Sequence, residues 1–450
     1  MRTIISFGMI LFLNLALVAC CPIMDAPVTK VTSIAVISTP SPLILSVGTT
    51  GNVVADILPA DATNTGVMWS VTPAGIVTVD ASGNVNAVAV GTATITATAQ
   101  DGSGITGNCA VTVAPLPNTE WYTNNSSATS FNIGTADELA GLAQLVNDGI
   151  TTFFGKTIAL TSDIDLSDYG EGSPFNDGNG WIPIGQIGIV PSAIFRGIFD
   201  GDDKTISGLY INTPEYITDA TNLGTGLFSH VNGGIIKNLS VKIGSGGITG
   251  HSCVGGIVGT IFLSTIENCS VIGSMVTGNN IEIGGVVGEV GGSSSVFNCY
   301  TTCAVNGSAH VGGVVGYLSS TGGSSSVTNC YATGTISGSS STGRVGGVVG
   351  NVQNGSNVSN CVALNTSVIC TSSNRGRIVG YNDSGTLTNN WAGNWMSGWG
   401  NKGASDLDGA DITPADSEKI EIWWTTVAPD GPGWSSSVWT FVTGQLPKLW

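Results

Sequence analysis

Short apolar segments recur between residues 197 and 379 at intervals of 28 to 34 residues. The seven copies are Gly197-Ile198-Phe199, Gly226-Leu227-Phe228, Gly256-Ile257-Val258, Gly285-Val286-Val287, Gly313-Val314-Val315, Gly347-Val348-Val349 and Arg377-Ile378-Val379. A second column runs in step with them at intervals of 29 to 31 residues: Asn238, Asn268, Asn298, Asn329, Asn360 and Asn389. Self-similarity of this period is typical of a solenoid, in which each copy forms one structural unit.

Apolar and polar residues alternate within each copy, as Leu239 and Val241 do with Ser240 and Lys242. This alternation predicts half-buried β-strands. Because one such unit cannot bury its apolar side alone, we expect the units of 195–390 to stack into a right-handed parallel β-helix. Paired glycines should turn the backbone in each rung, and the asparagines should form a ladder of side-chain amides.

The region 31–115 has short alternating runs separated by turn residues, among them Leu43–Val47 and Thr92–Thr98. Strands at this spacing predict a β-sandwich. We assign Trp69 to the core of that sandwich and not to a ligand contact. The fold class predicted for the chain is therefore all-β, a sandwich followed by a solenoid.

The segments that flank the repeats differ from them in pattern. Residues 116–194 contain Thr135-Ala136-Asp137-Glu138, which has the spacing of a capping box, and the apolar positions after it recur at helical intervals. This segment is predicted to be a linker and a helix-led N-terminal cap. Residues 391–450 are predicted to be a Trp-rich C-terminal cap, a hydrophobic lid over the last rung whose residues 446–450 dock as a final strand. They hold eight of the eleven tryptophans: Trp391, Trp395, Trp399, Trp423, Trp424, Trp434, Trp439 and Trp450.

The first 19 residues have Arg2 followed by an apolar run from Ile4 to Val18, the pattern of an export signal. Leu17-Val18-Ala19-Cys20 resembles the bacterial lipobox. The resemblance implies that Cys20 is lipidated, that 20–30 is a tether, and that the membrane is a partner through the lipid. An ordinary secretory leader is the alternative, and a fatty-acid label that persists in a Cys20→Ala variant would exclude lipidation of this residue.

Two segments of the chain resemble known families. Pro59–Asn64, Val67–Ser70 and Gly91–Thr96 resemble the bacterial Ig-like domain of group 2, across 31–115. The Val-Gly-Gly-Val-Val-Gly repeats, with Phe195–Gly201 upstream, resemble the GLUG-motif family of bacterial surface proteins. The first resemblance implies an Ig-like spacer or adhesive module. The second implies a place in the bacterial cell envelope, exposed at the surface.

Composition and charge exclude several classes of protein. Only 10% of residues are charged and 65 are glycine, which excludes a coiled coil and a disordered acidic tail. The net charge of −17 comes without clustered cations, so no nucleic-acid partner is expected. No cofactor is expected either.

The cysteines and aspartates suggest structural roles. The four thiols of the repeat are expected to fill inward positions unpaired, because stacked Cβ atoms lie too far apart for disulfides: Cys269, Cys299, Cys330 and Cys361. No metal site is expected, since His230, His251 and His310 are isolated in the sequence and no paired-ligand motif is present. Three aspartate clusters are interpreted as turn chemistry, with calcium as the alternative: Asp163, Asp165 and Asp168; Asp200, Asp202 and Asp203; and Asp406, Asp408 and Asp411.

No catalytic residue is predicted. The charged residues from Val241 to Asn374 do not recur as near pairs, and they are few: Lys242, Glu267, Glu282, Glu289 and Arg344. The peptidase activity of some GLUG relatives is not expected, because no His-Glu-x-x-His is present.

A non-catalytic surface lipoprotein that binds a glycan or a host-surface protein is the function that the sequence favours. The outward residues Tyr300 and Tyr331, with Trp391 further along the same column, are predicted to form an exposed aromatic strip that stacks on sugars. Stacking that only stabilises the coil is the alternative for this strip. The alternatives for the whole protein are a structural spacer and a polysaccharide-cleaving enzyme, which a cluster of converging carboxylates would favour.

Overall fold

The computed structural model describes residues 27–186, 193–215, 224–353, 355–396, 400, 403–412, 421–442 and 444–449. The predicted leader and the lipidation site Cys20 lie outside the described residues, as do Trp399 and Trp450.

A β-sandwich forms the N-terminal domain. Its strands are β1 Ser33–Thr39, β2 Leu43–Ser46, β3 Thr50–Leu58, β4 Val67–Thr72, β5 Val77–Val79, β6 Asn84–Ala87, β7 Gly91–Ala99 and β8 Thr106–Ala114. They form two four-stranded sheets, β1-β3-β6-β5 and β2-β8-β7-β4, in which only β2 and β8 pair in parallel. The alternation buries Val85, Ile95 and Val111 completely between the sheets, and Trp69 packs half-buried against that core. The predicted sandwich is confirmed.

A helix-led segment precedes the repeats. It contains α1 Glu120–Thr123, β9 Ser130–Ile133, α2 Ala136–Asn147, β10 Thr157–Leu160, β11 Ile164–Asp165 and 3₁₀ turns at Ser167–Tyr169 and Phe175–Gly178. The capping box is present: the Thr135 hydroxyl accepts from the Glu138 backbone N–H, and the Glu138 carboxylate accepts from the Thr135 N–H, both at 3.2 Å. Because β10 pairs in parallel with β9 and with the first repeat strand, the solenoid already begins inside this cap.

Three parallel sheets form the walls of the solenoid. The long sheet contains Ile198–Asn212, Ile235–Gly250, Thr265–Gly273, Met275–Gly278, Ser295–Thr301, Ala304–Gly307, Ser326–Thr328, Tyr331–Ala332, Ile336–Gly338, Asn357–Ser359, Val362–Ala363, Val368–Cys370, Thr386–Thr388, Trp391–Gly393 and Ala410–Ile412. The six-stranded sheet contains Phe228–Asn232, Val258–Phe262, Val287–Gly291, Val315–Leu318, Val349–Val352 and Val379–Asn382. The four-stranded sheet contains Ile281–Gly284, Ala309–Gly312, Val345–Gly346 and Arg375–Gly376. Each strand pairs with its equivalent in the next coil, so the predicted parallel β-helix is confirmed.

The repeat cysteines point into the solenoid. All four are fully buried free thiols, and each donates to a backbone carbonyl oxygen of its own coil at 3.1–3.3 Å: Cys269, Cys299, Cys330 and Cys361. Their predicted inward position is confirmed, and they act as small apolar fillers.

The asparagine column forms the predicted ladder at a corner of the coil. The Asn268 Nδ2 donates to Asn238 Oδ1 at 3.1 Å, and the same bond links each later rung at 2.8–3.3 Å. Every ladder residue has φ between 51° and 54°. Asparagine tolerates this left-handed conformation better than most residues, so the column supplies both the turn and the bond between coils.

Glycines between the four-stranded and six-stranded sheets permit a close approach of two chain segments. A Cβ on Gly312 would lie 2.0 Å from the Val315 carbonyl oxygen, and the same holds at Gly284 and Gly346. No side chain fits there. The predicted glycine turn is confirmed.

The described residues just after the repeats extend the long sheet, since Ala410–Ile412 pairs with Trp391–Gly393. Arg377 is fully buried at this end and contacts Asp411 at 2.6 Å. Its guanidinium also donates to the carbonyl oxygens of Gly393, Asp408 and Gly409. These bonds satisfy a buried charge next to the last coil.

The remaining C-terminal segment packs on a side wall. It contains α3 Glu421–Thr425 and an antiparallel pair of strands, Trp439–Thr440 with Lys448–Leu449. Its tryptophans cluster with Tyr331, Val362 and Trp391 on the outer face of the long sheet. The predicted lid over the last rung is therefore wrong for 421–449, because the apolar surface that these residues cover lies on the wall.

Candidate binding sites

The aromatic column has the predicted register. Tyr300 lies opposite Tyr331 in the next coil, and the rings are parallel with centroids 4.8 Å apart. Val362 and then Trp391 continue the column. Stacking of Tyr300 and Tyr331 one rung apart is confirmed.

The exposure predicted for this column is wrong for Tyr331 and Trp391, and Tyr300 is half-buried. Tyr331 is 1% exposed and Trp391 is 8% exposed, because the C-terminal segment covers them. The Tyr331 hydroxyl donates to the Pro447 carbonyl oxygen at 2.6 Å, and Trp434 and Trp439 lie against its ring. The column is therefore a docking surface for the chain's own C-terminal segment, and it offers no open sugar platform in this conformation.

A cleft opens beside the covered column. Its volume is about 420 Å³ and its lining carries no charge; the lining residues are Thr333, Leu364, Thr366, Trp395, Gly444, Gln445 and Leu446. We call it the Trp395 cleft. Trp395 is 39% exposed, and its Nε1 donates to the Asn365 carbonyl oxygen at 3.0 Å, which fixes the ring. A fixed, half-exposed indole beside hydroxyl and amide groups is suited to a neutral, partly apolar ligand.

Two columns of polar residues meet where the four-stranded and six-stranded sheets adjoin. One contains Cys253, Glu282, His310 and Arg344; the other contains Thr260, Glu289, Tyr317, Asn351 and Tyr381. We call this region the polar seam. Contacts cross between its columns: His310 stacks on Tyr317 with ring centroids 5.2 Å apart, and the Arg344 guanidinium lies 4.4 Å from the Tyr381 ring centroid.

Acidic groups converge at one end of the polar seam. The Cys253 thiol donates to Glu282 Oε2 at 3.0 Å, and one donor atom each of Cys253, Glu282 and Glu289 lies within 4.8 Å of the others. Burial raises the pKa of Glu289 to about 7, with a further contribution from the Glu282 carboxylate. Burial also raises the pKa of Glu282 and raises that of the Cys253 thiol well above its usual range.

The seam also contains buried polar atoms that lack partners. Asn351 is 1% exposed, and neither its Oδ1 nor its Nδ2 has a hydrogen-bond partner. Two more buried atoms, Thr260 Oγ1 and His310 Nδ1, also lack a hydrogen-bond partner. Burial lowers the pKa of His310 to about 4, with a contribution from Arg344, so the imidazole is neutral at pH 7.

The sequence analysis missed this seam. The statements that Glu282, Glu289 and Arg344 do not recur as near pairs and that His310 is isolated are corrected by the structure, which brings these residues into one seam. A signal was present, because Cys253 to Glu282 and Thr260 to Glu289 both span 29 residues, which is within the range of the repeat interval. Polar residues in register with the repeat must stack into columns.

Aspartates of the first two clusters accept hydrogen bonds within turns or between coils. Asp163 accepts from the Thr205 N–H and Asp165 from the Ser167 N–H. Asp200 accepts from the Asp202 N–H and from Asn238 at the foot of the ladder. The short-range bonds of Asp165 and Asp200 are the turn chemistry that was predicted. The other bonds join different coils, and Asp411 of the third cluster pairs with Arg377 instead.

The fold defines an all-β protein in which an Ig-like sandwich precedes a parallel β-solenoid. Comparison with family models gives the two components: residues 30–108 match the bacterial Ig-like domain (group 2), and residues 250–277 and 307–337 match the GLUG motif. Both resemblances are confirmed. The chain is thus a cell-surface type of Ig-like and GLUG β-helix protein.

Relatives with longer chains share parts of the sequence. Halomucin of Haloquadratum walsbyi is 36% identical over 169 residues, which are 37% of this chain and 2% of halomucin. An uncharacterized protein of Clostridium acetobutylicum is 33% identical over 106 residues, 24% of this chain and 11% of the relative. A second one is 44% identical over 69 residues, 15% of this chain and 17% of the relative. The chain therefore spans less than a fifth of each of these curated relatives.

A solved structure from Bacteroides ovatus, described as a candidate immunoglobulin A1 protease, has 18% sequence identity and a TM-score of 0.48. The match covers 71% of this chain and 92% of that one.

Among the described residues, no helix has the length and apolar character needed to cross a membrane.

Proposed function

We propose that the protein is a non-catalytic module displayed at the bacterial surface, which binds neutral glycans in the Trp395 cleft. The half-exposed indole of Trp395, fixed by its bond to Asn365 and flanked by hydroxyl and amide groups, is the observation that carries the proposal. An aromatic face stacks on the C–H groups of a sugar, and neighbouring polar groups bind its hydroxyls.

The domain organisation supports surface display. An Ig-like domain that precedes a solenoid in the chain is suited to act as a stalk, and a parallel solenoid presents an extended surface for recognition. The export signal and lipidation at Cys20 are part of this proposal, with the lipid as the membrane anchor.

A neutral-glycan array probed with the full-length chain tests the proposal. We expect Trp395→Ala to weaken binding at least about tenfold, equivalent to the loss of about 1.4 kcal/mol. Phe154→Ala is the matched control, because that ring is 70% exposed but lies in the N-terminal cap. Unchanged binding in Trp395→Ala would refute the cleft as the site, and no glycan bound at all would favour the structural spacer.

The converging carboxylates favour one second candidate, a polysaccharide-cleaving enzyme. Retaining glycosidases hold two carboxyl groups roughly 5 Å apart, and Glu282 and Glu289 are comparably close. The test is release of new reducing ends or unsaturated products from neutral and acidic polysaccharides. Turnover that is lost in Glu289→Gln would overturn the non-catalytic proposal.

A further inference from the structure

The acidic end of the polar seam brings together donors from two successive coils. Cys253 and Thr260 belong to one coil, and Glu282 and Glu289 occupy the equivalent positions of the next. The thiol and the two carboxylates each offer one ligand atom, and these atoms lie within 4.8 Å of one another. The set therefore surrounds a point between the coils, where a small ion would contact both.

A fourth donor has no hydrogen-bond partner. Thr260 is 8% exposed and pairs laterally with Glu289, and its Oγ1 forms no hydrogen bond. The hydroxyl lies next to the Cys253 thiol. A buried hydroxyl next to the thiol, with no hydrogen bond of ordinary geometry, is available as a further oxygen donor to an ion, because buried polar atoms are normally satisfied.

The charge environment of the cluster also favours a cation. Within the described part of the chain, no lysine or arginine forms an ion pair with Glu282 or Glu289. Arg344 lies further along the seam, where it contacts His310 and Tyr381. Ionising both carboxyl groups in a half-buried seam without a cation is costly, and a divalent ion would favour their ionised form.

We propose that Cys253, Glu282 and Glu289 bind one Zn²⁺-type transition-metal ion, with the Thr260 hydroxyl beside it. A thiolate disfavours the hard ions Ca²⁺ and Mg²⁺, whereas zinc accepts sulfur and carboxylate oxygen in a tetrahedral site. Binding releases the thiol proton to solvent and leaves the fourth position for water or for Thr260. The ion would join two coils and stabilise the solenoid.

Cobalt is the probe for the test, because Co²⁺ occupies zinc-type sites and a thiolate ligand gives a charge-transfer absorption band. The untagged full-length chain, with Cys20→Ser and Cys21→Ser so that no leader thiol contributes, is stripped with chelator and titrated with Co²⁺. We expect one equivalent of ion to produce the band, Zn²⁺ to abolish it, and Zn²⁺ to raise the melting temperature.

Variants assign the ligands. Cys253→Ser should abolish the band. Glu289→Gln should weaken zinc binding by ~100-fold or more, because losing a residue that only supports the ligands already costs up to about that much. Cys370→Ser and Glu267→Gln are matched controls that should bind normally, since neither residue belongs to the seam. If Cys253→Ser does not fold, as judged by circular dichroism, a Glu282→Gln, Glu289→Gln double variant decides the question. Absence of the band in the unmodified seam, its persistence in Cys253→Ser, or an unchanged zinc affinity in Glu289→Gln would overturn the proposal.

Discussion

A single ladder residue such as Asn298 combines two functions that most side chains cannot. Its φ of 54° lies in the left-handed region, and its amide donates to Asn268 and accepts from Asn329. Its side chain is 8% exposed, so both bonds are shielded from water. The residue therefore fixes the corner of the coil and links it to both neighbours.

Substitutions of Asn298 separate the two roles. Asn298→Gly keeps the left-handed backbone but loses two hydrogen bonds, at about 1 kcal/mol each. Asn298→Ala loses the same bonds and adds at least about 1 kcal/mol of backbone strain, so it should be the more destabilising. Urea unfolding measures the difference, with the exposed Asn212→Ala as the control. Equal stability of the two Asn298 variants would show that the backbone conformation does not matter.

At the scale of whole elements, the C-terminal segment makes contacts that the repeat pattern does not predict. Trp434 is 1% exposed, its ring lies 4.6 Å from that of Trp439, and its Nε1 donates to the Asn360 carbonyl oxygen at 2.9 Å. The segment is thus held by buried aromatic area and by a bond to the ladder corner. Its docking closes the outer wall of the long sheet at Tyr331.

Removal of one ring tests how this segment is held. Trp434→Ala should cost about 3–5 kcal/mol of docking free energy, as large-to-small changes in a packed core do. Limited proteolysis should then release the C-terminal fragment while the remainder keeps its β-sheet circular dichroism. Trp395→Ala is the control, because its half-exposed ring contributes less. Equal protease resistance of Trp434→Ala and the unmodified chain would contradict this account.

In the whole molecule, the solenoid is held by contacts between adjacent coils. The strands of one coil pair with the equivalent strands of the coils before and after it. Stability in such an array is approximately a sum over neighbouring pairs. Removal of one complete coil therefore creates a new pair that resembles the old ones.

Two deletions test this. Removal of 299–329 joins Asn298 to Cys330, keeps the asparagine and cysteine columns in register, and should leave a single cooperative melt at a moderately lower temperature. Removal of 299–313, about half a coil, breaks every column and should abolish that melt. Differential scanning calorimetry compares them. Similar loss from both deletions would exclude nearest-neighbour stability.

The sequence by itself determined the features that repeat. The alternation of Leu239 with Ser240, the inward thiol of Cys299 and the amide ladder through Asn298 all follow from period and residue type, since each coil lies directly on the last. Only the tertiary structure decided which surfaces meet. The C-terminal segment has no period and could dock on any apolar face, and its position on Tyr331 depends on packing. The meeting of Glu282 with Glu289 likewise depends on the angle between two sheets, a property of the whole cross-section that local pattern does not specify.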